Sequence, residues 1–420
     1  MTSKSGPQLL TVEECLEIIK NDLKHKDTSN IKLQTYTIKK CSADLVGFMG
    51  EYYKLEVEAK NEIAQETIKL SYFLKSLPLD NELYRDECER KGFFTKESEI
   101  YRNILPHIQK YTQRPLYPQA YLTRRDLLVL EDFSRSEKRL KQMQPHEIYT
   151  LKHYQLYLQH LAELHSASLA WEFKEKINIG QQFEKTLYEL QLINTNEWYI
   201  TGIKAILFLA QQHPKFQYEK ALEFINHKLY SILLNMEDFT KPSHTLRNVL
   251  CHRDSWDRNI FWELDEHNQP IACRMVDFQL TRYSPPAIDV LYFLYNNFES
   301  PQQRSKLLKD LLSYYYQALR EASKRMDLPE DLITEAEFNQ DCQRALLPVL
   351  TLRAICEPLM KLPKGFSQTM RDIEPETFDC YMNSDRTEMF SRVSAIDSSY
   401  MDKVLLPVQE LLEYFDLLPK

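Results

Sequence analysis

At 420 residues, 43% of them hydrophobic and 27% charged, the chain has the apolar content of an ordinary soluble globular protein and room for two or three domains. Its net charge of −8 argues against a surface built for nucleic acid or anionic membranes, although a nucleotide site can still be locally basic. The opening residues lack the apolar core of a secretory signal, and no uncharged run reaches the ~20 residues of a membrane helix, so a cytoplasmic protein with no membrane span is expected.

Eight cysteines are scattered without C-x-x-C pairs and read as reduced thiols, mostly small buried hydrophobes. Glycine is scarce, with seven where average usage gives about four times as many, which favours a helix-rich chain.

In chain order, Thr11 caps a helix running to Leu23, with Glu14 three residues on completing a capping box. After a polar connection over 24–30, the alternating residues from Lys32 to Ser42 read as a strand, and Tyr52 to Ala59 as a second. The loop between them carries Gly47 and Gly50. Glycine there suits a backbone that approaches phosphate oxygens, and it equally suits an ordinary hairpin turn. Thr67 to Pro78 reads as a third strand. In it Lys75 follows an apolar run, either as a directed cation for nucleotide phosphates or as a solvated strand-end lysine. Phe94 to Leu105 reads as a helix stopped by Pro106. Glu97 lies on the side of Phe94 and Tyr101 and is preferred over Glu99, about 200° round the helix, as a partner for Lys75.

Tyr121 to Phe133 contains two strand-like segments. The apolar run Leu127–Leu130 ends abruptly at Glu131-Asp132-Phe133, which suits a hinge whose backbone meets an adenine edge. Beyond it the pattern is helical: His146 to Trp171, Phe183 to Gln212, Tyr218 to Met236, Gln302 to Lys324, Glu335 to Met360 and Lys403 to Phe415. His160 and His165 read as packing or capping residues. Pro363 to Ser391 reads as irregular and suits a substrate loop. Asp289 reads as the cap of a buried helix after Pro285-Pro286, with a brace for the preceding loop as its alternative.

The chemistry concentrates between Leu250 and Leu294. His252-x-Asp254 is followed by Asn259 and then by the Asp277-Phe278 pair, the H-x-D-x-x-x-x-N and Asp-Phe spacing of a kinase catalytic loop. Phosphoryl transfer asks a protein mainly to position groups and neutralise charge. Asp254 suits the carboxylate that accepts the acceptor's hydroxyl proton. Asn259 and Asp277 suit the oxygen ligands of Mg²⁺, which keeps several waters besides. Strand-like residues after Asn259, a turn over 265–270 and a second strand to Val276 form a hairpin that brings Asn259 and Asp277 to one side.

With these pieces, the chain resembles the ecdysteroid-kinase-like (CHK-like) family of small-molecule kinases, in the aminoglycoside phosphotransferase and choline kinase branch of the protein-kinase-like fold. The resemblance rests on LVLEDF at 128–133, LAELHSASLAWE at 161–172, HRDSWDRN at 252–259, VDFQLTRY at 276–283 and IDVLYFL at 288–294. It implies a bilobal α+β fold, with a small β-rich nucleotide-binding lobe over 1–133 and a larger, mainly helical lobe over 134–420. It also implies ATP- and Mg²⁺-dependent phosphorylation of a small hydroxylated substrate, ecdysteroids being the family's named acceptor. Motif by motif, it makes Asp254 the base within the His252 triplet and Asn259 and Asp277 the metal ligands. Lys75 with Glu97 becomes the phosphate-aiming pair, and Glu131 to Phe133 the hinge.

Three positions depart from that pattern. Arg253 stands where the family usually has Gly, Arg258 where it has Asn, and Ser255 where it has an apolar residue. The two arginines either help hold phosphate or pair with Asp257 and other surface acids. They also motivate the alternative of a catalytically weak pseudokinase or ligand-binding protein. A protein kinase is disfavoured: Asp277-Phe278-Gln279 lacks the usual Gly, and Pro285-Pro286 leaves no room for an activation loop.

Overall fold

The structure is a computed structural model that describes residues 3–5, 9–23, 29–41, 50–79, 82–135, 139–144 and 147–417. Gly47, most of the glycine loop and part of the polar connection after Leu23 lie outside the described residues. The chain forms two compact units, one of residues 1–176 and 257–279, the other of 177–256 and 280–420.

The first unit is built on a six-stranded sheet of β1 (Ser3–Ser5), β2 (Ile31–Lys40), β3 (Glu51–Asn61), β4 (Glu66–Ser76), β5 (Ala120–Thr123) and β6 (Leu127–Glu131), ordered β1-β2-β3-β4-β6-β5. All neighbours are antiparallel except β1 and β2. Strict alternation puts Tyr72 and Leu74 of β4, with Leu55 and Val57 of β3, into one apolar core. The amphipathic helix Val12–Asp22 closes that core with Cys15, Ile18 and Ile19. Its capping box forms as the sequence requires: Glu14 N–H donates to Thr11 Oγ1 at 3.1 Å, and Thr11 N–H to Glu14 Oε2 at 2.8 Å.

Because alternate residues of β4 face opposite sides, Lys75 leaves the sheet on the face away from this core. It is only 5% exposed. The helix Phe93–Asn103 follows. Pro106 ends the run as expected but opens a further short helix, Leu105–Gln109, because proline fits a helix's first turn.

A second, three-stranded sheet joins Pro270–Met275, Ile260–Leu264 and β7 (Arg139–Lys141). The first two are the anticipated hairpin, antiparallel with Met275 opposite Ile260. The helix Leu151–Glu175 lies along it and accepts the Cys273 thiol at Leu156 O.

The second unit is mainly helical. It holds one short strand pair, Val249–Cys251 with Arg282–Ser284, and long helices at Glu197–Gln212, Pro301–Arg325 and Glu335–Met360. Gly202 permits close packing of two of them: a Cβ there would sit 2.5 Å from Ile355 Cγ2.

Two expectations fail in this unit. Residues 183–196 are not helical; the helix starts at Glu197, where Asn196 accepts the Trp198 N–H at 3.1 Å. Upstream, the Glu189 carboxylate takes N–H groups that a helix would have used. Nor is 363–391 irregular, since it contains helices Phe366–Ile373, Pro375–Asn383 and Thr387–Ser394. Gly365 at φ +81° and Pro375 at a first helical turn are stops between short helices, not signs of a loop.

Candidate active site

In the first unit three charges meet. Lys75 Nζ lies 2.6 Å from Glu97 Oε2 and 2.9 Å from Asp277 Oδ1. The remaining Glu97 oxygen accepts the Phe278 N–H at 3.0 Å, so one carboxylate ties the helix Phe93–Asn103 both to β4 and to the end of the hairpin. The Phe278 ring then packs edge-on to Tyr101 and Tyr117, each with a centroid separation of 5.7 Å.

Burial by itself pulls the Lys75 ammonium down, but the Asp277 and Glu97 charges outweigh it and hold the group well above the usual lysine range. Burial, joined by the Asp277 charge, pushes Glu97 up against the pull of Lys75. The rival Glu99 is engaged elsewhere, 3.1 Å from Arg102 Nη1.

Asp277 has φ +67°, a left-handed conformation that Asp tolerates better than most residues. Asn259 is buried at the start of the first hairpin strand, and its carbonyl accepts the Val276 N–H at 3.0 Å. The hairpin thus brings Asn259 beside the residue preceding Asp277. An amide oxygen and a carboxylate are hard donors of the kind Mg²⁺ takes, so this residue set fits the ion. Gly50 lies over the lysine stem: a Cβ there would be 3.7 Å from Lys75 Cγ and 3.0 Å from Ser76 O.

Of the residues expected to form a hinge, Glu131 pairs with Arg274 at 3.0 Å, and Phe133 packs on Phe261 at a centroid distance of 5.0 Å. Arg258 is exposed, with its carbonyl taken by the Gln142 side-chain amide.

Asp254 and His252 belong to the second unit. His252 is fully buried, and its Nδ1 accepts the Asp254 N–H at 3.1 Å. Asp289 does not cap its own helix. Its two oxygens accept the N–H groups of His252 at 2.6 Å and Arg253 at 2.7 Å, so the brace prevails over the cap. The N–H groups of two buried residues, His252 and Arg253, demand acceptors, and that demand decides the orientation. Burial first, then Cys356 and the Asp254 charge, push the hydroxyl of buried Tyr292 well above its usual range.

Sequence reasoning did not find Glu189, which lies 3.7 Å from Arg253 Nη1 and 3.7 Å from Arg282 Nε. A signal existed: an acid set among Leu187, Leu190 and Leu192 is destined for burial and therefore for a cation.

A model of the ecdysteroid kinase-like family matches residues 45–328, well over half of the chain. The chain belongs to the ecdysteroid kinase-like family. This kinase-like chain is also similar to solved structures of low identity. One is the Plasmodium vivax ethanolamine kinase, with 13% identity, 82% of this chain and 80% of that chain covered, and a TM-score of 0.38. A type I macrolide 2'-phosphotransferase shares 11% identity over 84% of this chain and 92% of its own, with a TM-score of 0.35. The choline kinase LicA of Streptococcus pneumoniae shares 12% over 79% and 98%, with a TM-score of 0.33. A search of curated proteins finds no significant match. Family membership makes the protein a phosphotransferase of the small-molecule kinase type. No helix among the described residues is long and apolar enough to cross a membrane, and all eight cysteines are free thiols.

Proposed function

We propose that this protein transfers the γ-phosphoryl group of ATP to a hydroxyl of a small, apolar, ecdysteroid-like alcohol. The observation that carries the reading is the buried Lys75 ammonium held by Glu97 and Asp277. A lysine fixed by a helix carboxylate is a preorganised cation for nucleotide phosphates, and it costs no reorganisation when they arrive.

In this reading residues 1–133 form the nucleotide-binding lobe and 134–420 the catalytic and substrate lobe. Gly50 admits the phosphates close to the backbone, the role expected from the sequence for Gly47 as well, and the chain from Glu131 to Phe133 meets the adenine. Asn259 and Asp277 hold Mg²⁺, which neutralises phosphate charge when bound. Asp254 takes the proton of the acceptor hydroxyl, with His252 fixing its main chain. Free thiols throughout accord with a reducing, cytoplasmic location.

A metabolite extract incubated with labelled ATP, run beside Asp254→Asn, tests the assignment. Label should enter a small molecule with the native protein. The variant should lose about 10²–10⁴ in kcat while still binding MgATP, the range for removing a general base. Nucleotide binding with no transfer to any acceptor would instead make the protein a ligand-binding member of the family.

A further inference from the structure

Arg253 is one of the three positions that depart from the family pattern, and its side chain pairs with a buried acid in place of the surface acids that the sequence suggested. It is 2% exposed and turned inward. Its Nη1 faces Glu189 Oε2 at 3.7 Å, and Arg282 Nε faces the same oxygen at 3.7 Å. That oxygen also accepts the Thr240 hydroxyl at 2.8 Å. The other Glu189 oxygen accepts the Gln191 N–H at 2.9 Å and those of Leu190 and Leu192 at 3.2 Å, so the carboxylate is fixed by the main chain of its own turn. Arg253 has φ +71°, a left-handed conformation that strains a non-glycine residue, and it immediately precedes Asp254. A glycine would adopt it without strain.

We propose that Glu189 and Arg253 are positioning residues for Asp254. The fixed Glu189 carboxylate draws the Arg253 guanidinium into the second unit, and this contact holds the left-handed turn that aims the neighbouring carboxylate at the acceptor. Asp289 secures the main chain of this loop from one side, and the Arg253 side chain secures it from the other. The guanidinium therefore acts through the loop and does not touch the transferred phosphate. This inference rests on the kinase reading for its effect on turnover, but its geometric part is independent of it.

The charge count makes the test asymmetric. Two arginines share one carboxylate, so Arg253→Gly leaves Arg282 and Glu189 as a balanced pair and relieves backbone strain. Glu189→Gln strands two buried cations. The measurements are thermal unfolding, hydrogen exchange at amides 252–256, MgATP binding, and steady-state kinetics with ecdysone or the acceptor that the extract screen returns. The variants are Arg253→Gly, Arg253→Lys, Glu189→Gln and Glu189→Asp.

Arg253→Gly should keep a Tm close to the native one yet exchange amides 252–256 about tenfold faster, because local opening sets that rate. Its kcat should fall at least about tenfold with KM for ATP unchanged, the signature of a displaced base, since small misplacements of that kind cost up to about 10². Arg253→Lys should recover part of the loss. Glu189→Gln should lower both Tm and loop protection; if it does not fold, Arg253→Gly and Glu189→Asp still decide the matter. Native loop protection and native kcat in Arg253→Gly would overturn the proposal. So would a raised KM for ATP at unchanged kcat, which would put the guanidinium on the nucleotide. If the native protein transfers no phosphate at all, the kinase reading fails, and loop protection alone decides the positioning claim.

Discussion

The Lys75 cluster and the loop around Asp254 are both buried arrangements of charge, but they are held in different ways. In the first, side chains from three distant parts of the chain meet one another directly, Lys75 to Glu97 and Lys75 to Asp277. In the second, carboxylates hold main-chain amides: Asp289 takes those of His252 and Arg253, and Glu189 takes three of its own turn before it meets an arginine. A side-chain cluster is specified by residue type, so substituting one member removes a charge that the others need. A loop held through its amides keeps those donors through any substitution but proline, so on that side its weak point is the distant acceptor Asp289, and the Arg253 side chain is a further tie that substitution removes.

The sharpest way to break the first arrangement is Lys75→Met. It leaves the buried Glu97 without its cation and beside the like charge of half-buried Asp277, and should destabilise the fold by about 3–5 kcal/mol, the usual cost of removing one partner from a buried pair. Adding Glu97→Gln should restore part of the loss in a thermal unfolding series; an unchanged Tm in Lys75→Met would mean that the trio contributes nothing to stability. The matching substitution in the second arrangement is Asp289→Asn. It keeps one acceptor but loses the charge and the second oxygen, so a milder cost of about 1–3 kcal/mol is expected, together with faster exchange at the His252 and Arg253 amides.

A smaller effect comes from His153, whose Nδ1 accepts the Thr150 N–H at 3.1 Å at the start of the helix Leu151–Glu175. Burial pulls this imidazole below its ordinary 6.5, with Glu147 opposing. The folded chain therefore binds fewer protons here than the unfolded one. The contribution is fully present above about pH 6.5 and is lost as pH falls through the lowered folded-state value. His153→Gln retains an acceptor that does not titrate, so its Tm should fall less than the native one between pH 7 and 5. A parallel fall would assign the acid sensitivity to other groups. The smallest effect belongs to Glu99→Ala, at the rival position on the Glu97 helix. It should change stability by no more than about 0.5 kcal/mol and leave kcat at its native level.

Much of this was legible where local rules govern. The Thr11 box, the alternation of β2 to β4 and the hairpin ahead of Asp277 follow from capping chemistry and period-two burial. The choice of Glu97 over Glu99 as the neighbour of Lys75 followed from helical phase alone, and the two come within 2.6 Å. What escaped was decided by buried carboxylate acceptors, local in the turn over 189–192 and distant at Arg253. The turn before Glu197 and the inward course of Arg253 both depend on the Glu189 carboxylate, and neither helical periodicity nor a motif expresses that demand. Asp289 was likewise read as a local cap, while its partners stand 37 and 36 residues upstream. The segment over 363–391 was misread because its helices are short and their proline and glycine stops are closely spaced.

One consequence follows from Glu97 having both oxygens engaged, one by Lys75 and the other by the Phe278 amide. The helix that carries it cannot swing outward by giving up a single contact. Losing the lysine means releasing the hairpin end as well, so the cluster opens and shuts as a latch with two bolts on one bar. Acylation of the Lys75 amine and deuterium uptake at the Phe278 amide should therefore report the same opening event at a common rate.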